Sequence, residues 1–193
     1  MPTEIEAKFR LDDPDALRAR LRGLGAGRVA WRRESNHLYD TPEGRLRRSG
    51  CGLRVRVAWS LEAKGTAPTG WLTFKGPRRP GELKVREELE SPVDDAAAVM
   101  GILERLGLRE VVVYEKRREL WHLGACEVAI DELPRLGWWL EIEGPDADAV
   151  REARRALGLE GATLVKETYV DMAAQHGEAD ADGCRRLVFG AAP

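Results

Sequence analysis

Apolar residues recur along this chain with two periods, every second residue in some stretches and every third or fourth in others. Two-residue alternation predicts strands near residues 3–9, 52–59, 70–76, 84–90, 111–121, 125–131, 138–144 and 163–170. A further short strand ends at Leu38-Tyr39-Asp40, before the turn signal Thr41-Pro42-Glu43-Gly44. Helical spacing occurs three times. One helix opens at Asp13-Pro14 and carries Leu17, Leu21 and Leu24. The next follows Ser91-Pro92 with Val99, Ile102, Leu103 and Leu106, and the last follows Pro145-Asp146 with Val150, Ala153 and Leu157. All three end in Leu-Gly, because glycine accepts the left-handed conformation that stops a helix. This order of elements predicts an α+β domain on a largely antiparallel sheet. The domain is expected over residues 1–172, with 173–193, small and polar, as a loosely ordered tail.

The polar positions say more than the apolar ones. Residues i and i+2 share a strand face, so Glu4, Glu6 and Lys8 lie together opposite Ile5, Ala7 and Phe9. Arg54 and Arg56 oppose Leu53, Val55 and Val57, and Thr73 and Lys75 oppose Leu72 and Phe74. Arg86, Glu88 and Glu90 oppose Val85 and Leu89, with Glu87 interrupting the apolar side. Lys116 and Arg118 pair up, Asp131 ends a strand after Val128 and Ile130, and Glu141 and Glu143 oppose Leu140 and Ile142. Lys166 and Thr168 repeat the pattern near the end. On any single strand the plain reading is a solvated face. Repeated on nearly every strand, the pattern predicts a sheet closed with its charge inward, a barrel with a polar lumen. Its apolar outside then needs cover that three helices supply only in part.

Composition narrows the partners. Charged residues make up 33% of the 193, against about 25% in an average domain, yet 31 Lys and Arg against 33 Asp and Glu leave a net charge of −2. That balance argues against a dedicated nucleic-acid binder or a binder of anionic membranes. No apolar run approaches the roughly 20 residues that cross a bilayer, and the first residues lack the basic and apolar pattern of a secretory signal. Cys51, Cys126 and Cys184 have no CxxC spacing and read as free thiols, so a cytoplasmic protein is expected. Gly25-Ala26-Gly27 is a lone GxG, and His37, His122 and His176 are isolated.

The expected lumen collects the acids Glu4, Glu6, Glu88, Glu90, Asp131, Glu141 and Glu143 with the bases Lys8, Arg54, Arg56, Lys75, Arg86, Lys116, Arg118 and Lys166. Charge at this density must be paired or neutralised by a ligand. Glu-x-Glu pairs offer hard oxygen ligands suited to magnesium or manganese. Arginines and lysines in number suit phosphate oxygens. Together they describe a polyphosphate site.

Glu4-Ile5-Glu6-Ala7-Lys8 matches the ExExK opening of a known family, and further matches follow in order. These are Tyr39-Asp40-Thr41-Pro42, Leu53-Arg54-Val55-Arg56, Thr73-Phe74-Lys75-Gly76-Pro77 and Arg86-Glu87-Glu88-Leu89-Glu90. Lys116-Arg117-Arg118, Asp131, Gly137, Glu141-Ile142-Glu143 and Lys166-Glu167-Thr168-Tyr169 complete the set. The chain thereby resembles the CYTH superfamily, the triphosphate tunnel metalloenzymes. The resemblance implies an eight-stranded antiparallel tunnel, with helices outside, that binds a triphosphate and Mg²⁺ or Mn²⁺. It assigns Glu4, Glu6, Glu141 and Glu143 to the metal with help from Asp131, and places Lys8 beside the reacting phosphate, where it either orients the water or helps to activate it, so that Lys8, Glu4 and Glu6 are the expected catalytic residues. Arg54, Arg56, Lys75, Lys116, Arg118 and Lys166 form the phosphate cradle, with Arg86 in addition; Lys64 and Lys84 replace members if the register slips. Glu88 and Glu90 either bind a second metal or pair with arginines.

Two enzyme activities fit this site. One is hydrolysis of the terminal phosphate of inorganic triphosphate or an organic triphosphate, and it is favoured because it requires only the tunnel. The other is cyclisation of ATP to cyclic AMP and pyrophosphate, as in the class IV adenylyl cyclases. A third alternative is a non-catalytic binder of polyphosphate or nucleotide.

Overall fold

Strands with one charged and one apolar face avoid exposing the apolar side by closing the sheet and covering it from outside. In the computed structural model, which describes residues 3–63, 65–78, 80 and 83–190 and only the backbone of Thr3, Glu4 and Lys84, this has happened. The barrel strands are β1 (Thr3–Leu11), β2 (Gly27–Asp40), β3 (Gly52–Ser60), β4 (Thr69–Lys75), β5 (Lys84–Val93), β6 (Arg109–Leu123), β7 (Cys126–Leu133) and β8 (Gly137–Gly144). Their order around the ring is β2-β3-β4-β5-β1-β8-β7-β6, and β6 closes it by pairing antiparallel with β2 from Gly27↔His122 to Asp40↔Arg109. The predicted eight-stranded antiparallel barrel is therefore present.

The helices are α1 (Pro14–Gly23), α2 (Arg45–Arg48), α3 (Ala96–Arg105), α4 (Ala147–Ala156) and α5 (Tyr169–His176). Asp13, Asp95 and Asp146 cap α1, α3 and α4 by accepting backbone N–H bonds. Gly25, Gly107 and Gly158 end the same helices with φ of 74°, 85° and 72°. Leu17 and Leu21 of α1 and Val150 and Ala153 of α4 bury the outer side of β1, β7 and β8 against Ala7, Phe9, Val128, Ile130, Leu140 and Ile142. Leu103, Val99 and Met100 of α3 cover Val55, Leu53 and Leu72. The cover is partial, since Leu89 on β5 remains 48% exposed. Among the described residues no helix is long and apolar enough to cross a membrane, and Cys51, Cys126 and Cys184 are free.

Three expectations change. The short strand ending at Asp40 is the end of the 14-residue β2. Its first half, residues 27–33, holds no buried residue, so it shows no apolar alternation to read. The expected strand at 163–170 is irregular to Thr168 and then helical. Thr168 and Asp171 form a capping box there, a helix start that overrides the strand pattern. The segment still runs beside β1, with Val165 N donating to Lys8 O at 2.8 Å.

The tail expected to be loose is docked. After α5 come β9 (Glu178–Ala179) and β10 (Arg185–Leu187), which pairs parallel with β6 at Val112–Tyr114. Leu187 and Ala173 are fully buried, Arg186 pairs with Glu110 at 2.8 Å, and Phe189 N donates to Glu115 at 2.9 Å. Few apolar residues hold this segment, and they sit too far apart in sequence to form a period.

Candidate active site

Strand alternation and cross-strand register turn the charged side chains toward one another inside the barrel. Around β6 and β8 they form a connected cluster. Asp131, fully buried on β7, accepts from Arg118 Nε at 2.7 Å and Nη2 at 2.6 Å, from Lys116 Nζ at 3.4 Å and from Tyr169 Oη at 2.9 Å. Arg118 also bonds Glu141, whose other oxygen lies 2.9 Å from Lys8 Nζ. Glu6 Oε1 lies 4.0 Å from the same ammonium. Across the tunnel, Glu90 takes Thr73 Oγ1 at 2.7 Å, Arg56 at 3.0 Å and Arg54 at 3.5 Å, while Lys75 pairs with Glu88 at 2.7 Å.

Two of the most buried polar residues of the tunnel were not singled out from the sequence. Glu34 and Asn36, both fully buried, face inward from β2. Glu34 accepts from Arg32 Nε at 2.7 Å and lies 3.5 Å from Lys116 Nζ. Burial opposes its charge, but Lys116, Arg118, Arg56 and Arg32 outweigh burial and hold its carboxyl far below the ordinary range. Counting back in twos from Leu38 places Asn36 and Glu34 on one face; Ser35 and His37 on the other are polar too, which hid the alternation. Asp40 of the Tyr39-Asp40-Thr41-Pro42 motif proves to be a turn residue, accepting from the backbone N–H of Thr41, Leu46 and Arg47 at 2.7, 2.9 and 3.0 Å.

The cations are held unequally. For Lys8, burial opposes the charge, yet Glu141 and Glu6 prevail and raise it above its usual value, so it is an ammonium. Arg118 is raised well above normal by Asp131 and Glu141 against the same burial. Arg56 is pushed down, by burial and then by Arg54 beside it. Arg54 Nε, Arg56 Nε and both amide atoms of Asn36 are buried with no hydrogen-bond partner among the described residues. Phosphate oxygens are acceptors of the kind that these three donor groups lack.

Not every expected residue converges. Arg86 is half-buried on β5, opposite Glu4 in the β1–β5 register. Lys166 is exposed, and its carbonyl accepts from Arg78 at 3.0 Å. Glu143 is exposed and stands opposite Glu6 in the β1–β8 register. Lys64 lies outside the described residues, as do the side chains of Glu4 and Lys84. Among the described residues no three acids, histidines or cysteines are grouped to hold a metal ion. The chemistry of the donor set on β1 and β8 nonetheless suits a hard divalent cation.

Acid should loosen the fold through these pairs. Burial opposes charge on Glu110 and Asp171 as well; His37 and Arg186 hold Glu110 low, and Thr168 and Arg78 hold Asp171 low. With Glu34 they contribute stability that is complete above the ordinary range, 4.5 for Glu and 3.8 for Asp, and lost as pH falls through their depressed values. Melting temperature followed by circular dichroism should drop steeply below about pH 4, and Glu34→Gln should flatten the drop. An equal drop in that variant would remove Glu34 from the linkage.

The chain is similar to known proteins in sequence and in fold. A family model described as the CYTH domain matches residues 2–169. Adenylate cyclase CyaB of Aeromonas hydrophila is 28% identical over 179 residues, covering 86% of each chain. A Methanocaldococcus jannaschii protein whose name marks it provisionally as an adenylate cyclase is 25% identical, covering 88% of this chain and 97% of its own. Among solved structures, the PH1819 protein of Pyrococcus horikoshii OT3 superposes with a TM-score of 0.76 at 23% identity, over 90% of this chain and 99% of its own. The HpAC1 protein of Hippeastrum, described as revealing a dominant triphosphatase activity, has a TM-score of 0.63 at 18% identity, over 86% of this chain and 92% of its own.

Proposed function

The chain belongs to the CYTH family, and on that premise we propose that it is a metal-dependent triphosphatase, hydrolysing the terminal phosphate of inorganic triphosphate or of an organic triphosphate. One observation carries this reading. Buried guanidinium and amide groups from β2 and β3 face the lumen with hydrogen-bonding capacity unused among the described residues, in line with cations from β1, β4 and β6. The oxygens of a triphosphate chain are acceptors suited to the donors among them, Arg54 Nε, Arg56 Nε and Asn36 Nδ2.

Arg54, Arg56, Lys75, Lys116 and Arg118 form the cradle, with Arg86 and Lys166 at its periphery. Glu88 and Glu90 aim Lys75 and the Arg54–Arg56 pair. Glu4, Glu6, Glu141 and Glu143 would hold Mg²⁺ or Mn²⁺, which neutralises phosphoryl oxygens and so eases attack by water. We assign Asp131 to anchoring Arg118 instead of the metal, because it is fully buried and accepts four bonds from Arg118, Lys116 and Tyr169, whereas Glu141, held by Lys8 and Arg118, is less buried. Lys8, an ammonium with three donors and no acceptor, holds oxygens of the reacting phosphate and does not take a proton from water. Arg54→Ala should chiefly weaken triphosphate binding, by about ten- to a hundredfold for one lost charged hydrogen bond. Calorimetric titration with unaltered affinity would place Arg54 outside the cradle.

The names of the curated relatives favour a second reading, cyclisation of ATP. The ribose 3′-oxygen then attacks the α-phosphorus and pyrophosphate leaves, using the same cations. A product assay with ATP and with inorganic triphosphate, each with Mg²⁺ or Mn²⁺, separates the two. Orthophosphate without cyclic AMP, fastest from inorganic triphosphate, is the expected result. Cyclic AMP with matching pyrophosphate would overturn it.

A further inference from the structure

The phosphate-facing lysine is seated on a tyrosine. Tyr169 is the first residue of α5 and is 4% exposed. Its place is set locally: Thr168 Oγ1 accepts from Asp171 N at 3.1 Å and Asp171 Oδ2 accepts from Thr168 N at 2.9 Å, a capping box that favours the helix start there. The side chain then enters the barrel. Trp139 meets its ring edge-on at 6.4 Å and Tyr114 meets it tilted at 6.2 Å, while its hydroxyl donates to Asp131 at 2.9 Å. Burial and the Asp131 charge keep the phenol protonated, so it remains a donor.

Lys8 Nζ lies 3.6 Å from the centre of this ring, and Lys116 Nζ lies 5.0 Å from it. Lys8 sits at the end of a flexible four-carbon stem, and its attraction to Glu141 fixes a distance but not a direction. A ring face beneath the ammonium closes one side to movement and favours the cation there. The Glu167 carbonyl, 3.5 Å from Nζ, closes another. Lys8, 2% exposed, is thus held between this ring, the Glu167 carbonyl and the carboxylates of Glu141 and Glu6.

We propose that Tyr169 is a positioning residue for Lys8, its ring holding the ammonium against Glu141 and its hydroxyl fixing the ring to Asp131. The proposal rests on reading Lys8 as the lysine at the reacting phosphate. It extends the site to α5, outside the strands that form the tunnel.

Two variants separate the ring from the hydroxyl. Tyr169→Leu should lower kcat by about 100-fold, the scale of an ångström of misplacement, and should change KM several-fold less. Tyr169→Phe keeps the ring and should recover most of that loss. Independently of turnover, NMR of ¹³C-lysine-labelled protein should show the Lys8 side-chain signal moved upfield by the ring, with Lys8→Arg assigning it. The shift should survive in Tyr169→Phe and vanish in Tyr169→Leu. A Tyr169 that only packs α5 would lower melting temperature in both variants, with the rate per folded molecule and the Lys8 signal unchanged, and that result overturns the proposal. Rates are to be read on whichever product forms. Cyclic AMP from the wild type would defeat the hydrolase reading and leave the Tyr169 ratio decisive, whereas no turnover at all would defeat both.

Discussion

Glu6→Gln is expected to abolish most metal-dependent turnover while leaving the barrel intact. Glu6 is 7% exposed on β1, stands opposite Glu143 in the β1–β8 register, and lies 4.0 Å from Lys8 Nζ. Glutamine keeps the shape and a carbonyl oxygen but removes the charge that would draw a hard divalent cation. Charge stabilisation by such an ion is worth several kcal/mol, so a loss on the order of 100- to 10,000-fold in kcat follows. Raising Mg²⁺ or Mn²⁺ should restore part of the rate, because the remaining carboxylates still bind more weakly. The fold should tolerate the change at about 1 kcal/mol, since Lys8 keeps Glu141 at 2.9 Å. The check is orthophosphate release against metal concentration, with EDTA as the blank and a melting curve beside it. An unchanged rate would place Glu6 outside the reacting centre.

How much of this was legible before any coordinates depended on which residues sit on both sides of a strand. Where one face packs on a helix, as with Phe9, Val55 or Ile142, the opposite charged face stands out by contrast. The inward direction of Lys8, Arg54, Arg56, Asp131 and Glu141 therefore followed from periodicity, whereas Lys116 and Arg118 alternate with the charged Glu115 and Arg117 and were read from their spacing alone. On β2 the contrast is missing, because Ser35, His37 and Glu115 make a polar outer surface there and His37 bonds Ser35 and Glu110 at 2.9 and 2.6 Å. Glu34 and Asn36 were hidden for that reason. The strand expected around Lys166 failed differently: a two-residue spacing with Thr168 suggested it, and the capping box made Thr168 a helix start. The part played by α5 and β10 depends on contacts distant in sequence, such as Tyr169 with Asp131 and Leu187 with the β6 edge, which no local pattern contains.

Asp131→Ala should be the most damaging single change to the fold among the charged lumen residues. Asp131 is fully buried and is the shared acceptor of Arg118, Lys116 and Tyr169, so its removal takes one partner from each of two cations and a phenol. Breaking a buried pair from one side typically costs about 3–5 kcal/mol. Arg118 would retain Glu141, and Lys116 would retain Glu34 at 3.5 Å, which places the loss toward the lower figure. The sign of a ligand effect then separates an anchor from a metal ligand. If Asp131 anchors the cradle, added inorganic triphosphate replaces the missing negative charge and should raise the melting temperature of Asp131→Ala more than that of the wild type, with no metal required. If Asp131 instead holds the metal, Asp131→Asn should shift the metal concentration needed for half-maximal rate, and triphosphate alone should give no extra stabilisation. A melting temperature equal to the wild type's would show that the Asp131–Arg118–Lys116 cluster does not hold the barrel, whatever it does for the substrate.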